Sequence, residues 1–437
     1  MDDTRTDDGT DADGAATAGT GIADRRDRVR QIFAASVGNT VEWYDWYTYS
    51  FLAPFFATAI FPKGNELTAL LDTFAVFAVG FFMRPIGGLL LGSVADRFGR
   101  RNALTVTILM MGAGSLLLGI LPGYTTVGVL SPILLVLARL ISGLSVGGEF
   151  AASTTFLVES ARPNRRGLFS SFQYVSTTIG QLIASGLGAL LSSTLADSAM
   201  SSWGWRIPFL FGAVLSLIGF WIRRGALETY RTGREARPRL FEALTRFPRQ
   251  SLLIVGITIA GTIAYYTWTV YLPSYAEQSV DFDKSKALVV STIALAFFAV
   301  IQPLGGMLSD RIGRKPMLIA FAGGFAVLVV PMLHLLSNSF GSLLLIQCFG
   351  MVLLTGYTSI AAAVNAEVFP ARVRAAGIGF PYSLTVAVFG GTAPYVGTLF
   401  ASLDHPGLFP WYVATLCLIS LVVYLFLRET ARRPLAT

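Results

Sequence analysis

Charge is scarce in this 437-residue chain: Asp, Glu, Lys and Arg together make up 14% of it, against about 25% in an ordinary soluble domain. That shortage excludes the charged helix faces that two or three water-soluble domains of this combined length require. Cysteine is also rare, and Cys348 and Cys417 both stand in apolar runs, which offers neither a disulfide framework nor metal-ligand spacing. Histidine occurs twice, as His334 and His405 near the ends of apolar segments, positions that suit a solvated or packed ring better than a proton relay. No H-E-x-x-H, G-x-S-x-G or Walker A pattern occurs, so the sequence points to no enzyme, no metal and no cofactor. Without a phosphate-binding loop, any work the chain does is expected to draw on ion gradients. The net charge of +7 comes from short scattered clusters rather than one basic stripe, so nucleic acid is not an expected partner.

What the sequence has in abundance is apolar length. Hydrophobic residues make up 53% and fall into twelve segments, near 31–61, 68–92, 102–121, 128–156, 168–195, 206–222, 250–276, 287–309, 316–336, 341–366, 375–403 and 408–427. Most reach the roughly 20 residues that a helix needs to cross a bilayer. The sixth is shorter, and Trp203 and Trp205 are expected to extend it as interfacial residues. None alternates with period 2, and lipid leaves no place for unpaired backbone, so helices are expected rather than barrel strands. The expectation is an all-α membrane protein of twelve transmembrane helices. Residues 1–24 carry one aliphatic side chain larger than Ala, Ile22, after Met1, and are expected to form a disordered tail. They lack the features of a signal peptide, so the first helix is expected to stay as an anchor.

Of 33 Lys and Arg residues, 26 fall in alternate loops on one side. Positive charge is retained in the cytoplasm, which places both termini there. The longest basic loop, 223–249, divides six segments from six. This gives a disordered tail (1–24), an N-terminal six-helix bundle (25–222), a central cytoplasmic loop (223–249), a C-terminal six-helix bundle (250–428) and a cytoplasmic terminus (429–437). The halves also repeat. Gly92-Ser-Val-Ala-Asp96-Arg97-Phe-Gly99-Arg100-Arg101 returns 214 residues later as Gly306-Met-Leu-Ser-Asp310-Arg311-Ile-Gly313-Arg314-Lys315. Glu159 to Gly167 is echoed by Glu367 to Gly377, and Leu227 to Arg231 by Arg428 to Arg432. Two such units are expected to enclose a site near the midplane.

The doubled G-x-x-x-D-R-x-G-R-[RK] loop resembles the signature of the major facilitator superfamily. Gly38-Asn-Thr-Val-Glu-Trp-Tyr-Asp-Trp-Tyr47, Met83-Arg-Pro-Ile-Gly-Gly88, Gly143-Leu-Ser-Val-Gly-Gly-Glu149, Ser171-Phe-Gln-Tyr-Val175 and Trp203-Gly-Trp-Arg-Ile-Pro208 resemble its metabolite:proton symporter family, and within it most of all the alpha-ketoglutarate permeases. The resemblance covers 31–428 and implies proton-coupled symport of a small carboxylate by alternating access, by a monomer in the cell membrane. Other members carry citrate, shikimate, betaine or proline, and those substrates stay open. A receptor that binds a nutrient without moving it is the alternative of a different class.

Ionisable groups inside a bilayer span are costly and suggest function. Asp45 and Arg139 come out at similar depth and are expected to pair. Burial favours a neutral carboxyl and a nearby guanidinium favours an ionised one, so a carboxylate whose partner moves away takes up a proton. Related transporters with an acid on the first helix and an Arg on the fourth imply this role for Asp45 and Arg139. Glu42 lies one turn before Asp45, at a depth similar to Arg84 and Glu149, and Glu42 and Glu149 join the candidate proton-coupling group. Two roles fit Arg84: binding a substrate carboxylate through its planar fork, or a structural triad with Glu42 and Glu149. Candidate substrate-lining residues are Tyr44, Tyr47, Gln173, Tyr174, Tyr265, Tyr266, Trp268 and Tyr382, whose hydroxyl, amide or indole groups hydrogen-bond without adding charge. Asp96, Arg97 and Arg100, with Asp310, Arg311 and Arg314, are expected to form a gating network at the cytoplasmic face. Their arginines also serve topology.

Overall fold

The computed structural model describes residues 38–62, 64–98, 100–146, 154, 157–158, 161–224, 245–370 and 374–431. We number the spans α1 (38–60), α2 (Glu66–Phe98), α3 (Arg100–Gly119), α4 (Leu130–Ser145), α5 (Arg166–Thr194) and α6 (Arg206–Arg224) in the first half. The second half holds α7 (Pro248–Val280), α8 (Lys284–Ile312), α9 (Arg314–His334), α10 (Phe340–Thr358 and Ala361–Val368), α11 (Arg374–Ser402) and α12 (Leu408–Phe426). Among the described residues eight helices are long and apolar enough to cross a membrane on their own, and a ninth does so as a bent pair. Together with α1 and the shorter apolar α3 and α4 they make up the twelve-helix fold expected from the sequence.

Packing follows the internal repeat. Within the first half α2 lies on α4 and α3 on α6; six helices later α8 lies on α10 and α9 on α12. The halves meet where α5 runs against α8 and α2 against α11. Burial sorts central helices from peripheral ones. Almost every side chain of α1 is enclosed, as is 89% of the apolar stretch of α7, against 44% for α12. The peripheral helices turn Leu252, Val300, Val327, Leu345 and Phe426 outward, as expected where the surrounding solvent is hydrocarbon.

Four departures from straight helices stand out. A π turn at Met200–Gly204 precedes α6, and the pair bends by 42°. The expected interfacial role of Trp205 is corrected here: the ring is fully buried against Phe56 and Phe209, while Trp203 is half exposed. Further π turns lie inside α7 at Thr267–Tyr271 and inside α11 at Val386–Gly391. In α10 the helix breaks at Ser359 and Ile360, and the N–H of Ala363 in the restarted segment is capped by Ser170 Oγ of α5 at 3.1 Å.

Candidate functional site

Helix α1 is surrounded on all sides, so consecutive side chains around its circumference each meet a different neighbour. Tyr44 turns to α6, where its hydroxyl donates to the Pro208 carbonyl at 2.7 Å. Trp46 turns to α2 and packs edge-on against Phe77 and Phe81. Tyr47 crosses to the other half, and its hydroxyl donates to that of Tyr265 at 3.0 Å. Tyr265 in turn donates to Gln181 Oε1 on α5 at 3.3 Å, so this chain of polar groups crosses between the halves twice.

Asp45 points into the first bundle. Its Oδ2 lies 3.4 Å from Arg139 Nη2, and its Oδ1 accepts a short hydrogen bond from Ser115 Oγ on α3. Asp45 is 2% exposed and Arg139 0%. The Arg139 guanidinium also sits 4.5 Å from the Tyr49 ring, while Nε and Nη1 have no hydrogen-bond partner. A single contact at 3.4 Å, with two donors unfilled, is a pair able to separate. Ser115 was not singled out from the sequence, because a serine in an apolar helix ordinarily bonds its own backbone.

Arg84 is held differently. It is 5% exposed, and its guanidinium carbon lies 3.9 Å from the Phe81 ring, 4.2 Å from Trp46 and 5.0 Å from Trp43. Its Nε and Nη2 are enclosed without a partner, and among the described residues it makes no ion pair. Other buried arginines also keep unfilled donors, but Arg139, Arg166 and Arg314 each face a carboxylate, and Arg374 donates to the Ala366 carbonyl. Three aromatic faces partly compensate a buried cation, but a desolvated guanidinium with vacant donors is a receptor for an anion. Glu42 is buried within electrostatic reach of Tyr266, as is Arg84. Of the expected triad with Arg84, Glu42 is buried, and Glu149 lies outside the described residues.

Between the halves is a central space lined by Trp43, Tyr174 and Thr177 from the first and by Thr262, Tyr265, Tyr266, Tyr357 and Tyr382 from the second. Its free volume of about 10 Å³ holds roughly one water. Arg84 borders this lining: its guanidinium carbon lies 5.0 Å from the Trp43 ring, and it is a side-chain hydrogen-bond partner of Tyr266. Of the lining candidates, Tyr174, Tyr265, Tyr266 and Tyr382 face the space, and Tyr47 reaches it through Tyr265. Gln173 is buried one turn before Thr177 on α5. Tyr44 and Trp268 are placed elsewhere; the Trp268 indole donates to the Ile346 carbonyl at 3.2 Å inside the second bundle. Thr177, Thr262 and Gln181 were missed, since small hydroxyls and amides in apolar helices carry no signal of the direction they face.

Both ends of the interface are tied. At the end bearing the arginine-rich loops, Asp310 accepts from the backbone N–H of Gly167 at 2.8 Å and of Leu168 at 3.0 Å, capping α5 from the opposite half. Arg314 holds Asp310 at 2.9 Å and approaches Glu367 at 3.8 Å, which also faces Arg166 at 3.9 Å. A Cβ on Gly306 would come within 2.5 Å of the Gly167 carbonyl oxygen, so only glycine permits this approach. Glu367 belonged to a repeat noticed in the sequence without a role attached. Arg311 is at the same end, while the side chains of Asp96, Arg97 and Arg100 lie outside the described part of the structure. At the other end Lys284 of α8 binds Glu66 of α2, stands 3.1 Å from Glu277, and donates to the Pro54 carbonyl at 3.4 Å.

The sequence profile of the family described as sugar (and other) transporter matches residues 31–231 and 226–437. The chain is 41% identical to an alpha-ketoglutarate permease of Escherichia coli strain K12, over 94% of this chain and 96% of that one. It is 34% identical to a citrate-proton symporter of Klebsiella pneumoniae, over 92% and 93%. It is also 30% identical to a glycine betaine/proline/ectoine/pipecolic acid transporter of Dickeya dadantii strain 3937, over 93% and 84%. Among solved structures it matches a D-xylose-proton symporter at a TM-score of 0.72 and 19% identity, over 93% of this chain and 99% of that one. It matches the E. coli xylose transporter in a partially occluded inward-open conformation at 0.68 and 19%, over 91% and 97%.

Proposed function

Because the chain belongs to the sugar (and other) transporter family of the major facilitator superfamily, we propose that it carries a small carboxylate, 2-oxoglutarate or a related di- or tricarboxylate, across the cytoplasmic membrane together with protons. The observation that carries this reading is Arg84, a buried guanidinium with vacant donors and no acidic partner among the described residues. A carboxylate fills that vacancy with two parallel hydrogen bonds. Similarity to permeases for alpha-ketoglutarate and citrate supports the same class.

In this reading Asp45 is the proton site. The long contact between Asp45 and Arg139 opens as the bundles rock, which links proton binding at Asp45 to the transport cycle. A central space with room for about one water belongs to an occluded intermediate between two open states, and the ties at the two ends release in turn. The arginine-rich end faces the cytoplasm, with both termini on that side.

The aromatic wall favours a second reading. Rings of Trp43, Tyr174, Tyr265 and Tyr266 around one space suit a quaternary ammonium, so a betaine would bind Arg84 by its carboxylate and the rings by its cation. Uptake by purified protein in liposomes under an inward proton gradient, over 2-oxoglutarate, citrate, shikimate and betaine, tests both. Proton-driven uptake of 2-oxoglutarate, with betaine failing to compete, supports the first. Uptake of betaine alone replaces it with the second, and ligand binding without flux makes the protein a receptor.

A further inference from the structure

Tyr357 is the only phenol among the described residues whose fully enclosed hydroxyl has no hydrogen-bond partner. Other buried tyrosines are satisfied: Tyr44 by Pro208, Tyr49 by Thr73, Tyr271 by Gln278 and Tyr424 by Ile257. Thr262 Oγ1, on the adjoining helix, is likewise enclosed and unpartnered, although a helical threonine has a carbonyl one turn back within reach. Both residues line the central space, and both are fixed by close helix packing. The Tyr357 ring lies on Gly261 of α7, where a Cβ would come within 2.1 Å of it. Gly390 of α11 sits as closely against Thr262, its Cβ position 2.4 Å from Oγ1. Two hydroxyls are therefore fixed in the lining of one space, and the side chain within reach of Tyr357 is the Thr258 hydroxyl, which likewise forms no hydrogen bond. Leaving buried polar groups unpaired is costly, and such groups persist where something else arrives to pair with them.

We infer that Tyr357 and Thr262 receive the second polar group of a solute whose first carboxylate is held by Arg84, and so set the polarity of the acid that is carried. This rests on the carboxylate reading above and deepens it. One pole of the site is a cation and the other is neutral. The first carboxylate is held by charge, while the second group is held by hydroxyls that both donate and accept. A pole of this kind binds a carboxyl in either protonation state, or a hydroxyl, but gives no grip to a methyl group. The site is thereby selective for two-ended acids over their one-ended counterparts.

The test uses the full chain in liposomes. Labelled 2-oxoglutarate is the transported probe, and pyruvate, which keeps the keto-acid end and lacks the far carboxyl, is the competitor. Tyr357→Phe and Thr262→Val are each expected to raise KM for 2-oxoglutarate by about tenfold, roughly the factor for one lost hydrogen bond, with the inhibition constant of pyruvate unchanged. Thr262→Ser, which keeps the hydroxyl, is expected to retain the wild-type KM and serves as the control for folding. An unchanged KM in both hydroxyl-deleting variants overturns the inference and leaves the carboxylate reading standing. So does a rise in the pyruvate constant by the same factor, because general repacking then explains the loss. Wild-type protein that takes up neither 2-oxoglutarate nor citrate ends the carboxylate reading, and this inference with it.

Discussion

Asp310 caps a helix that belongs to the other half of the molecule: its two carboxylate oxygens accept from the N–H groups of Gly167 and Leu168 at the start of α5. A carboxylate is favoured there twice over, by the unfilled donors and by the positive end of the helix dipole. Charge-assisted bonds of this type contribute about 1.5–3 kcal/mol each. Asp310→Ala is therefore expected to shift the population toward opening at the arginine-rich end. Labelling of a cysteine introduced at Ser309, now buried, should speed up in that background and slow the transport cycle's return to the closed form. Equal labelling rates would show that Asp310 does not hold this end shut.

The approach of Gly306 to Gly167 makes a related prediction by steric means. Gly306→Ala places a methyl group within 2.5 Å of the Gly167 carbonyl oxygen without altering charge. It is expected to give the same increase in labelling with all ion pairs intact. A variant that transports and labels like wild type would show that the two helices slide to accommodate it.

For proton coupling, Asp45→Asn keeps the shape and the Ser115 contact but cannot ionise. Accumulation of solute driven by a pH gradient is expected to fall to the background rate, while exchange of internal for external solute persists. Uphill uptake at the wild-type rate would remove Asp45 from the role.

Arg84→Lys replaces a planar fork by a point charge. A rise in KM of about tenfold or more, for the loss of one arm of a bidentate pair, is expected with normal amounts of folded protein. A fall in folded protein with KM unchanged would instead make Arg84 a packing residue.

Outside the membrane, Glu429 gives a pH dependence. Partial burial pushes its carboxyl up, but the backbone N–H groups of Arg314, Ala431, Lys315 and Thr430 together outweigh that and hold it below the usual 4.5. A native value below the unfolded one means that the stabilisation is complete above the unfolded value and is lost as pH falls through the native one. Glu429→Gln is expected to lower Tm at neutral pH, with the difference from wild type closing only in solutions more acidic than pH 4.5. A difference that closes at higher pH would place the titrating group elsewhere.

The twelve spans and the pairing of Asp45 with Arg139 were legible in the sequence for one reason: charge inside a long apolar run is rare enough to stand out. The same rarity exposed Arg84. Direction was far less legible. Tyr44 and Tyr47 are three residues apart and nominally share a face, yet one bonds α6 and the other α7, because α1 has neighbours all round and no single inner side. Ser115, Gln181 and Thr262 were invisible, since their residue types are equally at home bonding their own helix. The break in α10 left no mark either. Ala361-Ala-Ala-Val-Asn-Ala-Glu-Val368 reads as unbroken helix, and what interrupts it is tertiary.

That interruption ties local backbone order to the position of a distant neighbour. The Ala363 amide has its acceptor, Ser170 Oγ, on loan from α5, so any motion that withdraws α5 strips the short segment of its cap. An uncapped turn frays and exchanges its amide proton with solvent. Deuterium uptake at that one peptide group would therefore report the working cycle with no label attached, and a serine-to-alanine change at 170 should leave it exchanging freely in every state.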